Sequence, residues 1–375
     1  MDMDKRKFRH VDVGSFQSGL LRWFENNGRE LPWRESYEPY HVWLSEVMLQ
    51  QTQMERGIAY YKRWLKRFPD IQSVARAGSY EILKYWEGLG YYARARNLHK
   101  AAQLIDSQYD GELPKSYEEL LRLPGIGPYT AAAITSIAFN DDIPVVDANV
   151  ERVFARVFDI DKPLKSKGVH AEICEIAKVL LPQGEARDFN QALMDLGGMI
   201  CTPQNPDCAV CPVSRHCLAR LGDFVKDRPV KKKPQQLIHI EMATGLLVRN
   251  GHIFIQQRLD NDIWGGLWEF PGGRLLEKEL PENAVVREYL EETRFKVELC
   301  KKITTVVHFY TKYKVTLHCY QCRLLQQSVV PDLQAAQAYH WIKEDQLDNY
   351  GFPAGHRKLI EHIRQSCPKI LVNEC

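Results

Sequence analysis

The sequence predicts a two-domain protein, with an all-α domain in residues 1–222, a basic linker in residues 223–238 and an α+β domain in residues 239–375. Its 375 residues exceed what one ordinary hydrophobic core accommodates. In the first domain, apolar residues recur every three or four positions, and breaks containing Gly or Pro follow at helix-scale distances. In the last domain, alternating runs such as residues 313–320 predict strands, which one helix over about residues 280–293 interrupts.

The composition is that of a globular protein, with 45% hydrophobic and 26% charged residues. No segment reaches the ~20 apolar residues of a membrane span, and the N-terminus lacks the apolar core of a signal peptide. We therefore expect a protein that makes no membrane contact and acts in the cytoplasm or in a nucleoid-like compartment within it.

The net charge of +2 does not by itself indicate a nucleic-acid ligand. Residues 1–225 contain 28 Lys and Arg against 30 Asp and Glu, whereas residues 226–233 contain five against one. Attraction to phosphate would therefore depend on local placement of charge and not on a global field.

A cluster of cysteines stands out in the first domain. Of ten cysteines, Cys201, Cys208, Cys211 and Cys217 fall in one loop and are separated by six, two and five residues. Without an export signal, ten cysteines favour free thiols or a metal site over a disulfide framework. Four thiolates can surround tetrahedral zinc or an iron–sulfur cluster, and the spacing alone does not choose between them.

Two carboxylates are candidates for acid–base chemistry. Glu46 lies among apolar helical residues, and Asp147 follows an apolar run at the start of a predicted helix. Each has an ordinary alternative, as a structural carboxylate or as a helix N-cap. Together they fit the cleavage of a glycosidic bond, which needs an acid for the leaving group and an anion beside the sugar cation. An apolar pocket raises a carboxyl pKa and so keeps the acid protonated.

The turn around Gly125-Ile126-Gly127 joins two helical runs. Glycine permits a tight turn and close backbone approach, which suits a DNA phosphate, although an ordinary αα-hairpin is an equal alternative.

Four segments in collinear order resemble the MutY-type adenine DNA glycosylases of the endonuclease III, or helix–hairpin–helix, superfamily. They are residues 31–34, 45–52, 88–97 and 146–153. The cysteine loop resembles the iron–sulfur loop of the same superfamily, so the resemblance implies a [4Fe–4S] cluster on the four cysteines and a helix–hairpin–helix glycosylase domain.

The resemblance also implies roles for the residues of the site. Glu46 would protonate adenine and then activate water, and Asp147 would stabilise the sugar cation, with Tyr129 and Asn149 supporting them. Bifunctional members of the superfamily place a lysine where this chain has Tyr129, and no lysine occurs between Lys115 and Lys162. A Schiff base needs an amine, so we expect a monofunctional glycosylase without a lyase step.

Further residues match family positions that contact DNA. Gln51 and Tyr91 match residues that enter the duplex when adenine is extruded, and Arg29, Trp33 and Arg34 match the neighbourhood of the adenine pocket. Trp33 and Tyr91 are alternatively core aromatics. The implied partner is double-stranded DNA with adenine opposite 8-oxo-guanine or guanine, bound by a monomer.

The C-terminal domain resembles the Nudix domains. Residues 273–295 carry a Nudix-like box in which Glu288, Glu291 and Glu292 share a helix face and suit Mg²⁺. Arg294 stands where the box ends in glycine, so the left-handed turn there is in doubt. In MutY-type enzymes this domain reads 8-oxo-guanine, and His308 matches the histidine of the reading loop.

The predicted function is adenine excision from DNA. The alternatives are a related glycosylase for another base, a bifunctional protein whose C-terminal Nudix domain also hydrolyses nucleotides, a Nudix nucleotide hydrolase with a DNA-binding appendage, and a sensor without enzymatic activity. The collinear helical segments, together with Glu46 and Asp147, favour the adenine glycosylase.

Overall fold

The computed structural model describes residues 8–231, 237–262, 264–310, 312–325 and 330–371. These residues form two compact units. The first contains the described residues of Met1–Arg76 and Lys100–Lys233, and the second contains those of Ala77–His99 and Pro234–Cys375.

Up to residue 231 the regular structure of the described chain is helical. Its α-helices are α1 (Val13–Asn27), α2 (Pro39–Leu49), α3 (Met54–Arg67), α4 (Ile71–Arg76), α5 (Ser79–Trp86), α6 (Ala93–Gln108), α7 (Tyr117–Leu120), α8 (Pro128–Ala133), α9 (Ala148–Val157), α10 (Val169–Leu180), α11 (Ala186–Asp195) and α12 (Leu218–Leu221). The all-α prediction for this part is confirmed, and several predicted breaks coincide with helix ends. None of the described helices is long and apolar enough to cross a membrane.

The core of the first unit lies between α1, α9, α10 and α11. Phe16, Phe154 and Phe189 are completely buried there, in one cluster with the aliphatic face of α10. Burying each aromatic side chain contributes roughly 1.5–3 kcal/mol relative to exposure. This core fixes the start of α9 and the end of α11, which border the candidate site.

Two helices of the first unit continue as single π-helical segments. The segment Ile134–Ala138 follows α8, and Leu196–Ile200 follows α11. Such segments change the direction of a helix without ending it and are frequent at functional sites. The second one leads directly into the cysteine loop at Cys201.

The second unit is built on a mixed β-sheet with two longer helices. Its strands are β1 (Ile238–Arg249), β2 (His252–Arg258), β3 (Trp268–Glu269), β4 (Gly272–Arg274), β5 (Val297–Tyr310), β6 (Tyr313–Leu324) and β7 (Ala336–Ile342), and the helices are α13 (Pro281–Thr293) and α14 (Ala354–Ser366). The strand order is β3-β2-β1-β6-β5, with β4 paired to β1 and β7 to β2. Strands β1 and β6 run parallel, and the other pairs are antiparallel.

The sheet is covered on both faces because its central strands are apolar on both faces. Leu246 and Val248 of β1 pack in the cluster that contains α14, whereas Leu247 packs in the cluster that contains α13. Successive strand residues point to opposite faces, so one strand supplies both cores. The α+β prediction is confirmed, and α14 is a helix that the sequence analysis did not anticipate.

The same alternation separates the two cysteines of a CxxC sequence on β6. Cys319 is buried in the α14 cluster and Cys322 in the α13 cluster, so the two thiols face opposite sides of the sheet. Eight described cysteines are free thiols, and Cys300 is disulfide-bonded.

One segment lies in a different unit from the one that its sequence position suggests. The helical pattern assigned residues 77–99 to the N-terminal domain, but they are part of the second unit. Backbone oxygens of the C-terminal region accept hydrogen bonds from this segment, from Arg96 to Gly265 and from Tyr92 to Phe352. Periodicity identifies a helix but not the surface against which it packs.

Candidate active site

Helix α2 places Glu46 in the interior of the first unit. Eight of the 11 residues of α2 are buried, and Glu46 itself is 7% exposed. Burial raises the pKa of the Glu46 carboxyl to about 7, because an apolar environment disfavours the charged form. A hydrogen bond from Tyr129 and the charge of Arg34 lower this pKa, and the charge of Asp147 raises it.

Tyr129 reaches Glu46 from the first turn of α8. Gly125 has φ of 78°, which permits the tight turn before the helix, and Gly127 is the N-cap with Pro128 in the first turn. The Tyr129 hydroxyl donates a hydrogen bond to Glu46 Oε2 at 2.8 Å. Burial and the charge of Glu46 raise the pKa of Tyr129 well above its usual value, so its hydroxyl remains a donor.

Asp147 is the N-cap of α9 and also lies near Glu46, so the structural and catalytic interpretations are compatible. Its Oδ1 accepts hydrogen bonds from the backbone N–H groups of Asn149 (2.9 Å) and Val150 (2.8 Å). Its Oδ2 accepts one from Asn149 Nδ2 at 2.7 Å. Burial raises the pKa of Asp147, and these three donors oppose the rise because they favour the carboxylate.

A chain of hydrogen bonds runs from Asp147 to the cysteine loop. Arg152, one turn further along α9, donates from Nη2 to Asn149 Oδ1 at 2.8 Å and from Nε to the Cys201 carbonyl at 2.8 Å. The same Nη2 also donates to the carbonyl of Gly197 at 2.8 Å. A Cβ at Gly197 would lie 2.5 Å from Asn149 Cβ, so only glycine allows this approach.

The four predicted cluster ligands surround one cavity. Cys201, Cys208, Cys211 and Cys217 all line it, together with Arg156 of α9. Arg156 Nη1 donates to Cys201 Sγ at 3.2 Å, and the thiols influence one another electrostatically across the shared space. Within the described residues, no three His, Cys, Asp or Glu side chains are arranged to hold a metal ion.

Comparisons with known proteins identify the family. Residues 44–178 match the HhH-GPD superfamily of base excision DNA repair proteins, and residues 243–362 match the NUDIX domain. The chain is 31% identical to the adenine DNA glycosylase of Buchnera aphidicola subsp. Schizaphis graminum (strain Sg), over 92% of this chain and 98% of the relative. It is also 31% identical to the adenine DNA glycosylase of Homo sapiens, over 94% of this chain and 75% of the relative.

The chain belongs to the adenine DNA glycosylase family. A solved structure, that of a thermostable thymine-DNA glycosylase, is 28% identical and has a TM-score of 0.52. The match covers 58% of this chain and 100% of the chain of that glycosylase. The predicted helix–hairpin–helix glycosylase fold followed by a Nudix-like domain is therefore confirmed.

In this member of the family, the two arginines predicted near the adenine pocket converge on a buried aspartate. Asp195, at the end of α11, is 0% exposed. Its carboxylate accepts two hydrogen bonds from Arg34, at 2.8 and 3.0 Å, and side-chain and backbone hydrogen bonds from Arg29. Burial alone would raise the pKa of Asp195, but Arg34 and Arg29 outweigh it and the pKa is lowered.

Sequence reasoning missed Asp195. An acidic residue between the buried Leu193 and Leu196 was the available signal, since a charge on the apolar face of a helix requires partners.

The other predicted DNA-contact residues of the N-terminal half differ in exposure. Trp33 is 6% exposed and packs edge to face on Tyr61 in the core. Gln51 is exposed just after α2 with φ of 57°. Tyr91 is half-buried with φ of 50°, and it belongs to the second unit. Trp33 therefore has the surroundings of a core aromatic residue, whereas the side chain of Gln51 is accessible to solvent.

The predicted magnesium ligands of the second unit are already engaged by protein groups. Arg287 donates to Glu288 Oε1 at 2.8 Å and to Glu291 Oε2 at 2.9 Å. Glu292 turns inward and accepts hydrogen bonds from Gln256 Nε2 (2.9 Å) and the Gly272 N–H (3.1 Å). Burial, followed by the charges of Glu269 and Glu288, raises the pKa of Glu292, which favours the protonated carboxyl.

The left-handed turn after α13 forms although Arg294 replaces the glycine of the box. Arg294 adopts the left-handed conformation with φ of 60° and caps the helix by donating its N–H to the Leu290 carbonyl. Arg294 therefore adopts a left-handed backbone conformation that costs a non-glycine residue roughly 1–2 kcal/mol.

His308 lies on β5 beside α14. It is partly buried, and a Cβ at Gly355 would lie 2.9 Å from His308 Cε1. Burial, followed by the charge of Lys358, lowers the pKa of His308, and its Nδ1 has no hydrogen-bond partner among the described residues. The imidazole is thus neutral at physiological pH and can donate or accept.

Proposed function

We propose that this member of the adenine DNA glycosylase family removes adenine opposite 8-oxo-guanine or guanine in double-stranded DNA, by hydrolysis of the N-glycosidic bond. The observation that carries this proposal is the buried Glu46, with a pKa of about 7, hydrogen-bonded by Tyr129 and close to Asp147. This pair meets the requirement for one acid and one anion at a glycosidic bond.

Glu46 acts as the acid. With a pKa of about 7, a substantial fraction of the carboxyl carries its proton at neutral pH and can transfer it to the adenine ring. The Tyr129 hydroxyl fixes the orientation of the carboxyl through Oε2. Once the base has left, the Glu46 carboxylate accepts a proton from the attacking water.

Asp147 acts as the anion beside the sugar. Its three hydrogen-bond donors favour the carboxylate and hold both oxygens in place. A fixed negative charge stabilises the positive charge that develops on the sugar as the base departs. Asn149 supports this role because it donates to Asp147 from both its backbone and its side chain.

The reaction stops at the abasic site. The side chain at the position of the lyase lysine is a tyrosine, and a phenol cannot form a Schiff base. The Tyr129 hydroxyl is also engaged with Glu46 and stays protonated.

Cys201, Cys208, Cys211 and Cys217 hold a [4Fe–4S] cluster in this proposal. The donor set fits in number and chemistry, since four thiols line one cavity within a single loop. Metal–thiolate bonds from these four cysteines to a bound cluster would cross-link the loop. Arg152 joins this loop to Asn149 and thereby supports the orientation of Asp147.

DNA is bound as a duplex by the monomer, at the nucleoid. Gln51 and Tyr91 enter the space that the extruded adenine leaves. The exposed turn with Gly125 and Gly127 contacts the phosphate backbone, and His308 reads the base opposite adenine.

The test offers the full-length protein three duplexes, with adenine opposite 8-oxo-guanine, adenine opposite guanine, and thymine opposite guanine. Abasic sites are then cleaved with alkali. We expect product from the first two duplexes and none from the third, and none from Glu46→Gln or Asp147→Asn. Excision of thymine would contradict the base specificity, and strand cleavage without alkali would contradict the monofunctional reaction.

A further inference from the structure

The turn that carries Tyr91 is held firmly from within the second unit. Trp86 Nε1 and Arg94 Nη2 each donate a hydrogen bond of 3.0 Å to the carbonyl of Gly90. The Arg94 guanidinium lies 5.4 Å from the centroid of the Tyr91 ring. Tyr91 itself has φ of 50°, so its backbone conformation depends on these neighbours. We call residues 87–92 the Tyr91 turn.

Glu87, the first residue of this turn, is bound by the C-terminal part of the unit. Glu87 Oε1 accepts hydrogen bonds from Arg357 Nε (2.8 Å), Arg357 Nη2 (2.6 Å) and the Phe352 N–H (2.9 Å). The side chains of Glu87 and Arg357 are 13% and 18% exposed, so water screens this pair only in part. Three donors on one carboxylate oxygen define its position closely.

The other end of the turn is attached as well. The Tyr92 hydroxyl donates to the Phe352 carbonyl at 3.4 Å and accepts from the Gly88 N–H at 3.2 Å. Phe352 therefore binds the turn through both its N–H and its carbonyl. The Tyr91 turn is thus fixed to the segment that precedes α14.

Helix α14 also borders His308. Gly355, two residues before Arg357, is so close to the His308 ring that a Cβ would clash with it. One helix therefore contacts the residue assigned to reading the opposite base and also binds the turn assigned to entering the duplex. Both contacts lie inside the second unit.

We propose that Glu87 and Arg357 are positioning residues that set the orientation of Tyr91, so that extrusion of adenine depends on α14. This inference rests on the proposed function, because it takes Tyr91 as a residue that enters the duplex. It adds that the Nudix-like part of the chain supports base extrusion directly, through an ion pair, in addition to reading the opposite base.

The experiment measures extrusion separately from chemistry. Full-length protein carrying Glu46→Gln is bound to a duplex with adenine opposite 8-oxo-guanine and 2-aminopurine next to the adenine. Fluorescence of 2-aminopurine rises when its neighbour leaves the stack. Adding Arg357→Ala should lower the extruded fraction relative to the stacked fraction about tenfold, within the range by which residues of one hydrogen-bond network couple.

Arg364→Ala is the matched control. Arg364 is also on α14 and binds Asp348 at 3.0 Å, as Arg357 does, but it donates its second hydrogen bond to the carbonyl of Glu344, whereas Arg357 binds Glu87. Its extruded fraction should stay within twofold of the parent. Arg357→Lys keeps the charge but not the paired guanidinium donors, and should fall between the two. Should Arg357→Ala fail to fold, Glu87→Gln and Arg357→Lys provide the same comparison.

Tyr91→Ala distinguishes the proposed role of Tyr91 in the duplex from the proposed positioning role of Arg357. If Tyr91→Ala extrudes adenine normally, the proposed role of Tyr91 is wrong. If Tyr91→Ala loses extrusion while Arg357→Ala does not, the role of Tyr91 stands and the positioning inference is overturned. Combining both substitutions should give no further loss, whereas additive losses would show that Arg357 acts elsewhere and would also overturn it.

Discussion

Glu46 in the first unit and the glutamates around Arg287 in the second unit differ in their electrostatic surroundings. Glu46 in the first unit is buried beside Tyr129, and its pKa is raised to about 7. Glu279 in the second unit accepts hydrogen bonds from Arg287, and these lower its pKa to about 2. Glu288 and Glu291 bind the same guanidinium. The same side chain is an acid at neutral pH in one place and a permanent anion in the other.

The difference shows what a glutamate-rich motif can and cannot indicate. The Nudix-like box has its carboxylates at the expected spacing, but Arg287 binds three of them and competes with a cation for their charge. Glu46 belongs to a less conspicuous pattern, and burial makes it suitable for proton transfer. Surroundings decide the chemistry of both groups.

The largest expected effect is the loss of excision when Glu46 is replaced. Glu46→Gln removes the proton donor and should reduce the single-turnover rate on adenine opposite 8-oxo-guanine by about 10³-fold, within the range of general acid catalysis. Glu288→Gln is the matched control from the other group and should change the rate less than twofold. Comparable losses in both variants would contradict the distinction between the two groups.

The pH profile should report the raised pKa of Glu46. The acid form is required, so the single-turnover rate should be highest below pH 7 and fall about tenfold per unit well above it. Between pH 7 and pH 9 the expected decrease approaches 10²-fold. A profile that is flat to pH 9 would show that the transferred proton does not come from this carboxyl.

The same shift should affect stability. The folded protein holds the Glu46 proton up to about pH 7, whereas a carboxyl in the unfolded chain loses it near its ordinary value of 4.5. The folded state therefore binds more protons over this interval, and the free energy of unfolding decreases as pH rises through it. Above pH 7, Glu46→Gln should be more stable than the parent by about 1–3 kcal/mol.

Denaturant unfolding at pH 5 and pH 8 measures this difference. The variant and the parent should differ less at pH 5, where Glu46 is protonated in the folded state. An advantage for the variant that is equal at both pH values would contradict the assignment of the shift to ionisation.

The smallest expected effect concerns magnesium. Because Arg287 engages Glu288 and Glu291, adding millimolar Mg²⁺ in place of EDTA should change the excision rate less than twofold at constant ionic strength. Calorimetric titration of the full chain with Mg²⁺, compared with Arg287→Ala, measures competition for the carboxylates directly. Tighter Mg²⁺ binding by the parent than by Arg287→Ala would show that Arg287 does not compete with the cation for these carboxylates.

The sequence predicted the fold class because the periodicity of apolar residues and the breaks at Gly and Pro are local properties. Helical recurrence before residue 223 and alternation after residue 239 were enough for the two kinds of structure. Local patterns do not define packing partners. The sequence therefore could not predict that residues 77–99 belong to the second unit. Helix α14 was missed for a related reason, since its apolar residues gain meaning only from the sheet they cover.

The roles of individual site residues required the folded chain to differing degrees. Asp147 could be expected as an N-cap from its position before α9, and the structure adds its proximity to Glu46. Arg29 and Arg34 were expected near the base, yet they bind Asp195, which is more than 160 residues away in sequence. No local pattern reports such a pairing, because an ion pair depends on distance in space.

The sequence by itself determined the family, the spacing of the four cysteines and the absence of a lysine at Tyr129, since these depend only on the order of residues. Tertiary structure alone decided that the Tyr129 hydroxyl meets Glu46 across 83 positions, that Arg287 binds three glutamates and that Glu87 is held by Arg357. The physical reason is that burial and electrostatic interaction depend on three-dimensional proximity, whereas motifs record only chemical type and spacing.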